Sequence, residues 1–518
     1  MCALIPFGAD RPEGRPDATR SVVYARHGMV AAAHPVAVQM GLDTLKRGGN
    51  AVDAAITVNA ALAFMEPTSC GLGGDLFAMV WDPSAGELTG LNGSGRCPGG
   101  LTRDKVPPDE DGTIPLFSPY SWTVPGCVDG WFTLHARYGK LPMAELLKPV
   151  IAAARAGVPV PQVIAGAWAR AAAEVGNKPG FAQVFLPGGV SPTEGDVFAN
   201  PALAWTLEQI AAGGRDAYYT GEIAKRLVAF SERHDGFFSA DDLARHTSEW
   251  VEPISTTYRG VTVWQLPPNG QGLAALQMLN ILETFDLAAL GRDSADFWHL
   301  LIEAKKLAFE DRARFYADPF FSEVPVNGLL DKGYARRRAA SIDRSRAAHD
   351  VDHGDTGVEH GDTTFLVTAD STGMMVSLIQ SNYDGFGSGY VVPELGFGIQ
   401  NRGALFNLDP EHPNALEPGK RPFHTIIPAF AGENGSPNIA FGVMGGSMQP
   451  QGHIQVLFNL LLFDMDPQEA IDAPRFRHLS GLRIVLESPI GDEVRSRLEA
   501  MGHVIGSEVS VAFGGAQA

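Results

Sequence analysis

An abrupt change of texture at Asp362-Thr363 sets the terms for reading the rest of this sequence. From Arg336 to His360 the chain is polar, rich in Asp, Arg, His and Gly and without periodicity, which predicts a flexible exposed tail over about 336–362. A strand pattern follows at once: Thr364–Thr368, the turn-forming Asp370-Ser371-Thr372-Gly373, then Met375–Ser381. Together these predict a β-hairpin. A four-residue loop would set Thr363 across from Gln380 and a five-residue loop across from Ser381, so either one brings Ser381 near Thr363. The tail also carries His349, His353 and His360 among Asp350, Asp352 and Asp355, which raises a metal site. Gly354 and Gly357 interrupt any helical His pair there, so a solvated tail is the better reading and no metal is expected.

Upstream, Asn50–Phe64 is alanine-rich and apolar all round, as a buried helix ending before Glu66-Pro67 should be. The Gly71–Gly74 run (GLGG) leads into a probable strand, LFAMVWD. It has neither the Lys-Ser/Thr ending nor the following helix that a phosphate-binding loop requires. Phe297–Tyr316 has the period of a long amphipathic helix, with Glu303, Lys305, Asp311 and Arg312 distributed around it. Asn438–Met444 reads as a strand entering Gly445-Gly446, followed by Ser447-Met448-Gln449-Pro450 and an apolar helix from Ile454 to Phe463. Glycines at a helix N-terminus can turn backbone N–H groups toward a developing oxyanion; by itself, a Gly-Gly pair is more often only a turn.

Length and composition exclude several classes. The 518 residues suffice for a large core or for several domains, and the 45% hydrophobic and 19% charged content is globular. No run reaches the roughly 18 apolar residues of a membrane span. The first residues lack the charged start and apolar core of a secretory signal, so a cytoplasmic protein is expected. Cys2, Cys70, Cys97 and Cys127 show no C-x-x-C spacing, against a disulfide framework or a zinc ribbon. A net charge of -19 opposes nucleic-acid binding. Neither a G-x-S-x-G elbow nor an H-E-x-x-H zinc motif is present.

Nine motifs occur in order along nearly the whole chain: GGNAVDAA (48–55), EPTSCGLGGD (66–75), VPGCVDGW (124–131), PPNGQG (267–272), EAKKLAFEDR (303–312), DTTFLV (362–367), KRPFHTIIP (420–428), GGS (445–447) and APRFRH (473–478). By them the sequence resembles the gamma-glutamyltranspeptidase family of N-terminal-nucleophile (Ntn) hydrolases. The resemblance implies an α+β fold, a four-layer αββα sandwich. It also implies an autocatalytic cut between Asp362 and Thr363, leaving a large subunit (1–362) and a small one (363–518) that stay together. Thr363 would be the catalytic nucleophile, Ser381 its hydrogen-bonding partner, and Gly445 and Gly446 the oxyanion hole. No cofactor is implied; the partners are a small-molecule amide and the chain's own two pieces, with a homodimer of such pairs as a candidate assembly.

The chemistry of the residues fits that assignment. A threonine hydroxyl needs a base, and an α-amino group of ordinary pKa about 7.7–8.0 can serve near neutral pH. Only the cut creates that amine, so the uncut chain should be inactive. The motifs also depart from the family pattern. Leu405 stands where an acid would bind the donor α-amino group, Arg402 where a Gln is usual, His424-Thr425 where two serines would hold the carboxylate, and Tyr383 where an Asn is expected. Arg96 stands in for the carboxylate-binding Arg. The short segment from Phe406 to Gly419 suggests that the active-site lid is missing, leaving an open cleft. The family also usually continues past GGAQA, and loss of a final strand would leave a sheet edge unpaired. The resemblance implies gamma-glutamyl (glutathione-like) amides as substrates, with transfer to water or an amine acceptor. These departures weaken that specificity and raise as the alternative carboxylate-bearing amides without an α-amino group, of the oxamate amidohydrolase-like or cephalosporin/glutaryl acylase-like kind. A catalytically silent binding relative is the alternative from a different class.

Overall fold

A computed structural model describes residue 12 and residues 14–349, 362–507 and 513–518. In chain order, the strands that frame the site are β1 (Gly28–Ala32), β2 (Asp75–Asp82), β3 (Glu87–Gly93), β4 (Glu249–Val251), β5 (Ile254–Tyr258), β6 (Val261–Gln265), β7 (Asp362–Asp370), β8 (Met375–Tyr383), β9 (Ala429–Glu433), β10 (Ser436–Val443) and β11 (Ala516–Gln517). They form two antiparallel sheets, in the orders β1-β7-β8-β2-β3-β4 and β11-β10-β9-β6-β5. The helices that matter most here are α1 (Ala51–Met65), α2 (Gly272–Leu282), α3 (Ala295–Phe315) and α4 (Met448–Leu462).

The layering follows from period-two alternation in strands that are apolar on both faces. Phe77 and Met79 of β2, Phe365 and Val367 of β7 and Ile379 of β8 pack against Phe430 and Ala440 of the second sheet, making the central layer. Their neighbours Leu76, Ala78, Val80, Leu366, Val376 and Leu378 turn outward to a helical layer containing α1. On the far side, Ala429, Ala431 and Phe441 face a second helical layer containing α2, α3 and α4. The result is the four-layer αββα sandwich of an α+β protein. Each large side chain closed between the sheets contributes roughly 1.5–3 kcal/mol. Among the described residues no helix is long and apolar enough to cross a membrane.

Helix α1 holds the hairpin in place. An Asn50/Asp53 capping box starts it, and it ends at Met65, before Glu66-Pro67. The Ala51 N–H donates to Asp370 Oδ2 (2.9 Å), Thr368 Oγ1 to the Ala51 carbonyl (2.7 Å), and Asn59 Nδ2 to Gln380 Oε1 (3.2 Å). Both strands of the hairpin are thereby tied to one rigid element. The GLGG run is explained by close approach: a Cβ on Gly74 would lie 2.4 Å from the Ser381 carbonyl oxygen.

Three features differ from the sequence reading. The stretch from Arg336 begins inside a helix, Lys332–Ala339, and continues as packed chain. Ala339 and Ala347 are buried, Arg338 bonds the Leu307 carbonyl (2.8 Å) and Glu310 (2.6 Å), and the Ala347 N–H meets the Met501 carbonyl (2.7 Å). Polarity suggested a solvated tail; most of the polar side chains from Arg336 to His349 are indeed exposed, but Arg338 and Ala347 tie the described part of the stretch to the fold. His353 and His360 lie outside the described residues. The charges of α3 are likewise internal: Glu303, Lys305, Lys306, Asp311 and Arg312 are all buried. Lys306 pairs with Glu303 at 2.7 Å, Lys305 Nζ lies 2.7 Å from His478 Nδ1, and Asp311 accepts from Gln277 at 2.6 Å. Finally, α4 starts at Met448 rather than Ile454, because Pro450 sits in its first turn, where N–H groups lack intrahelical acceptors anyway. At the sheet edge, β11 pairs with β10 through Gly442–Gln517 and Val443–Ala516.

Candidate active site

The hairpin register is set by Met375 opposite Ala369 and Gln380 opposite Thr364, and it then shifts so that Tyr383 faces Asp362. Two residues, Ser381 and Asn382, therefore stand against the single residue Thr363, as in a β-bulge, which re-aims side chains at a strand end. Thr363 is buried, and its Oγ1 accepts a hydrogen bond from Gln449 Nε2 (3.4 Å). Ser381 Oγ accepts from the Tyr383 N–H (2.7 Å), and Tyr383 has a positive φ of 85°.

Across the gap between the sheets, β10 ends and the chain turns through Gly445 and Gly446 into α4. Gly445 has φ 105°, which disfavours any side chain there. Among the described residues neither glycine N–H donates to a backbone carbonyl. The turn is braced from behind. Gln271 Nε2 donates to the carbonyls of Gly446 (2.8 Å) and Thr425 (2.6 Å), and Arg312 Nη1 donates to Gln271 Oε1 (2.7 Å) and approaches Ser447 Oγ (3.3 Å). The backbone of the turn is thus fixed in place by side chains of α3 and of the residue that caps the start of α2.

Arg402 lies beside this centre. The Asn401 N–H bonds the carbonyl of Asn382 (3.2 Å), so two strand-like spacings put the Asn401 backbone on the order of 10 Å from that of Thr363. Arg402 is fully buried, stacks over the Tyr383 ring (4.7 Å) and donates from Nη1 to Thr425 Oγ1 (2.7 Å). Its Nε and Nη2 have no partner among the described residues, and neither does Asn401 Nδ2. Burial lowers the guanidinium to about 10, with Asp75 partly opposing the shift; it remains charged at neutral pH. An unpaired Nε/Nη2 edge is the side of a guanidinium that takes a carboxylate through two parallel bonds.

The other expected substrate-binding residues are differently engaged. His424 Nδ1 accepts the Ile426 N–H (3.3 Å), which leaves Nε2 to donate to Asp75 Oδ2 (3.1 Å). Asp75 Oδ1 also accepts from Gly95 N–H (3.0 Å), Gly126 N–H (3.1 Å) and Gln400 Nε2 (2.8 Å). Burial pushes this carboxylate up, but the His424 hydrogen bond and nearby positive charge leave it below its ordinary value. His424 is thus a neutral strut on a buried carboxylate. The fork of Arg96 is taken up by Glu249 (2.8 Å) and lies 3.8 Å from Asp318, so the open carboxylate-binding edge belongs to Arg402. The segment after Phe406 folds down, with Leu416 packed on Cys97, Leu101 and Ile114. The reading from sequence overlooked Asp75, Gln271, Arg312 and Gln449; three of these lie inside the quoted motifs, and Gln449 follows GGS by two positions.

A separate buried group, His299, Glu303 and His503, has potential ligand atoms within 4.8 Å of one another. His299 Nδ1 and His503 Nε2 already share a hydrogen bond (2.8 Å), and the Lys306 ammonium 2.7 Å from Glu303 supplies the positive charge. His503 Nδ1 is left without a hydrogen-bond partner among the described residues.

Buried histidines give the fold an acid limit. Burial lowers His246 to about 4 and His424, His453 and His503 to about 3. In the unfolded chain these groups take up protons near pH 6.5. Between that value and about 3 the unfolded state binds more protons, so stability is complete above pH 6.5 and is lost as pH falls. We expect Tm to be flat above pH 7 and to drop by roughly 5–10 °C between pH 7 and pH 5. Calorimetry across that range checks this, and an unchanged Tm would contradict it.

Two facing sheets under helical layers, with a threonine heading a central strand against a diglycine turn, make this an N-terminal-nucleophile hydrolase fold. The family model "Gamma-glutamyltranspeptidase" matches residues 37–518. The chain is 37% identical over 485 residues to the glutathione hydrolase-like YwrD proenzyme of Bacillus subtilis (strain 168), spanning 92% of this chain and 91% of that one. It is 35% identical over 488 residues to the oxamate amidohydrolase proenzyme of Klebsiella pneumoniae, with the same coverage of each. A crystal structure of cephalosporin acylase from Bacillus halodurans superposes with a TM-score of 0.90 at 43% identity, covering 98% of this chain and 94% of the other. The chain belongs to the gamma-glutamyltranspeptidase family, and it is an enzyme.

Proposed function

We propose that this chain is an autoprocessing amidohydrolase acting on small amides whose acyl group carries a carboxylate and no α-amino group. The peptide bond between Asp362 and Thr363 is cut, and the new α-amino group takes the proton of the Thr363 hydroxyl as Oγ1 attacks the substrate carbonyl. Ser381 orients the hydroxyl and the Gly445 and Gly446 N–H groups receive the oxyanion; its collapse breaks the substrate C–N bond, the amine leaving with the proton held by the α-ammonium, and water or an amine acceptor then cleaves the threonyl ester, a proton returning to Oγ1. A cytoplasmic location and a homodimer of the cut pairs belong to the same reading.

The observation that carries the substrate class is the unpaired, fully buried Nε/Nη2 edge of Arg402. With Leu405 rather than an acid three residues on, that edge can hold a carboxylate while position 405 offers no counter-charge for a donor ammonium. The names of the oxamate and cephalosporin-acylase relatives support this class. The glutathione hydrolase-like relative favours a second reading, gamma-glutamyl amides. Kinetics of the processed enzyme on oxamate, glutaryl-p-nitroanilide and gamma-glutamyl-p-nitroanilide separate the two. We expect one of the first two to exceed the third at least tenfold in kcat/KM; strong preference for the gamma-glutamyl compound would overturn the assignment.

A further inference from the structure

Gln449 is the second residue of α4 and fully buried. Its own N–H bonds the Gly446 carbonyl (3.2 Å), which fixes its backbone to the diglycine turn. Its carboxamide is oriented without ambiguity. The Ile427 N–H, a donor only, lies 2.9 Å from one end of the amide, so that end must be the oxygen. Turning the group over would set two donors against each other and leave the buried Ile427 N–H unsatisfied. The NH2 end therefore faces Thr363 Oγ1, 3.4 Å away. An amide NH2 can only donate, so the Thr363 oxygen accepts and its own proton points elsewhere.

We propose that Gln449 is a further catalytic residue. It holds the Thr363 oxygen as an acceptor, presents the hydroxyl proton to the base, and stabilises that oxygen whenever it carries negative charge. This rests on the reading of Thr363 as nucleophile. In the precursor, Oγ1 bonds to the Asp362 carbonyl carbon while the C–N bond breaks, and the hydroxyl proton ends on the Thr363 nitrogen. Water then cleaves the ester, giving a carboxylate at Asp362 and a free amine and hydroxyl at Thr363. During turnover the same oxygen attacks the substrate and later leaves as the acyl group departs, and Gln449 Nε2–H assists at the second step by holding the departing alkoxide.

The test compares Gln449→Glu, which keeps the shape and the Ile427 bond but has no donor when ionised, with Gln449→Met. We expect each to slow both self-cleavage and kcat by roughly 10–100-fold with KM little changed; Tm should hold in Gln449→Glu and fall by a few degrees in Gln449→Met, which also orphans the Ile427 N–H. A merely structural role would move Tm and KM together instead. Should Gln449→Glu fail to fold, Gln449→Met decides alone. If both variants cleave and turn over within threefold of wild type, the assignment to Gln449 is wrong. If the wild-type protein itself never yields a fragment beginning Thr-Thr-Phe-Leu, the nucleophile reading has failed instead.

Discussion

Thr363→Ala leaves one uncut chain of 518 residues on a denaturing gel and abolishes amide hydrolysis, a loss of roughly 10⁴-fold or more. The alanine removes the oxygen proposed to attack the Asp362 carbonyl and to form the acyl-enzyme. The fold should survive, because among the described residues Thr363 Oγ1 makes a single long bond, to Gln449. Thr363→Ser keeps the hydroxyl and should still be cut, more slowly or faster but to completion. Two fragments from the alanine variant would mean that another group performs the scission.

Arg402→Met lowers kcat/KM for a carboxylate-bearing substrate by roughly 10²–10³, the value of a paired, charge-assisted hydrogen bond in a dry site. An uncharged acyl amide should lose almost nothing. Stability should move the other way. Arg402 is a buried cation with two groups that have no partner among the described residues, and replacing such a group by an apolar side chain of similar length is neutral or stabilising. Tm is therefore expected to hold or rise while activity falls, a trade-off typical of binding sites. Equal losses on charged and uncharged substrates would remove Arg402 from substrate recognition.

Much of the architecture was readable because it depends on local pattern. The Thr364–Thr368 and Met375–Ser381 runs carry their own period and turn, and Asn50–Phe64 announces its cap and its end. What was lost involves partners far apart in sequence. Arg338 and Ala347 looked solvated because Glu310 and Met501 are not visible from their own neighbourhood. Arg312 looked like a surface charge of an amphipathic helix, but Gln271, 41 residues earlier, takes it inside. Arg96 and Arg402 cannot be told apart as free or committed until Glu249 is seen holding the first. Gln449 carried no local signal: its role depends on Thr363 of β7 and Ile427, in the segment leading into β9, meeting it from distant parts of the chain.

The placement of β7 has a consequence for the proposed cut before Thr363. The strand that Thr363 heads lies inside its sheet, flanked by β1 and β8, and the residues from 363 onward also supply β9, β10 and β11 to the other sheet. Each fragment thus completes both sheets of the other, and they cannot part without dismantling two interiors. A nick at that bond leaves the assembly intact but turns its renaturation from a one-body into a two-body process, governed by how often the halves meet. The mature form would then owe its endurance to a high barrier against opening and have no easy route back once opened.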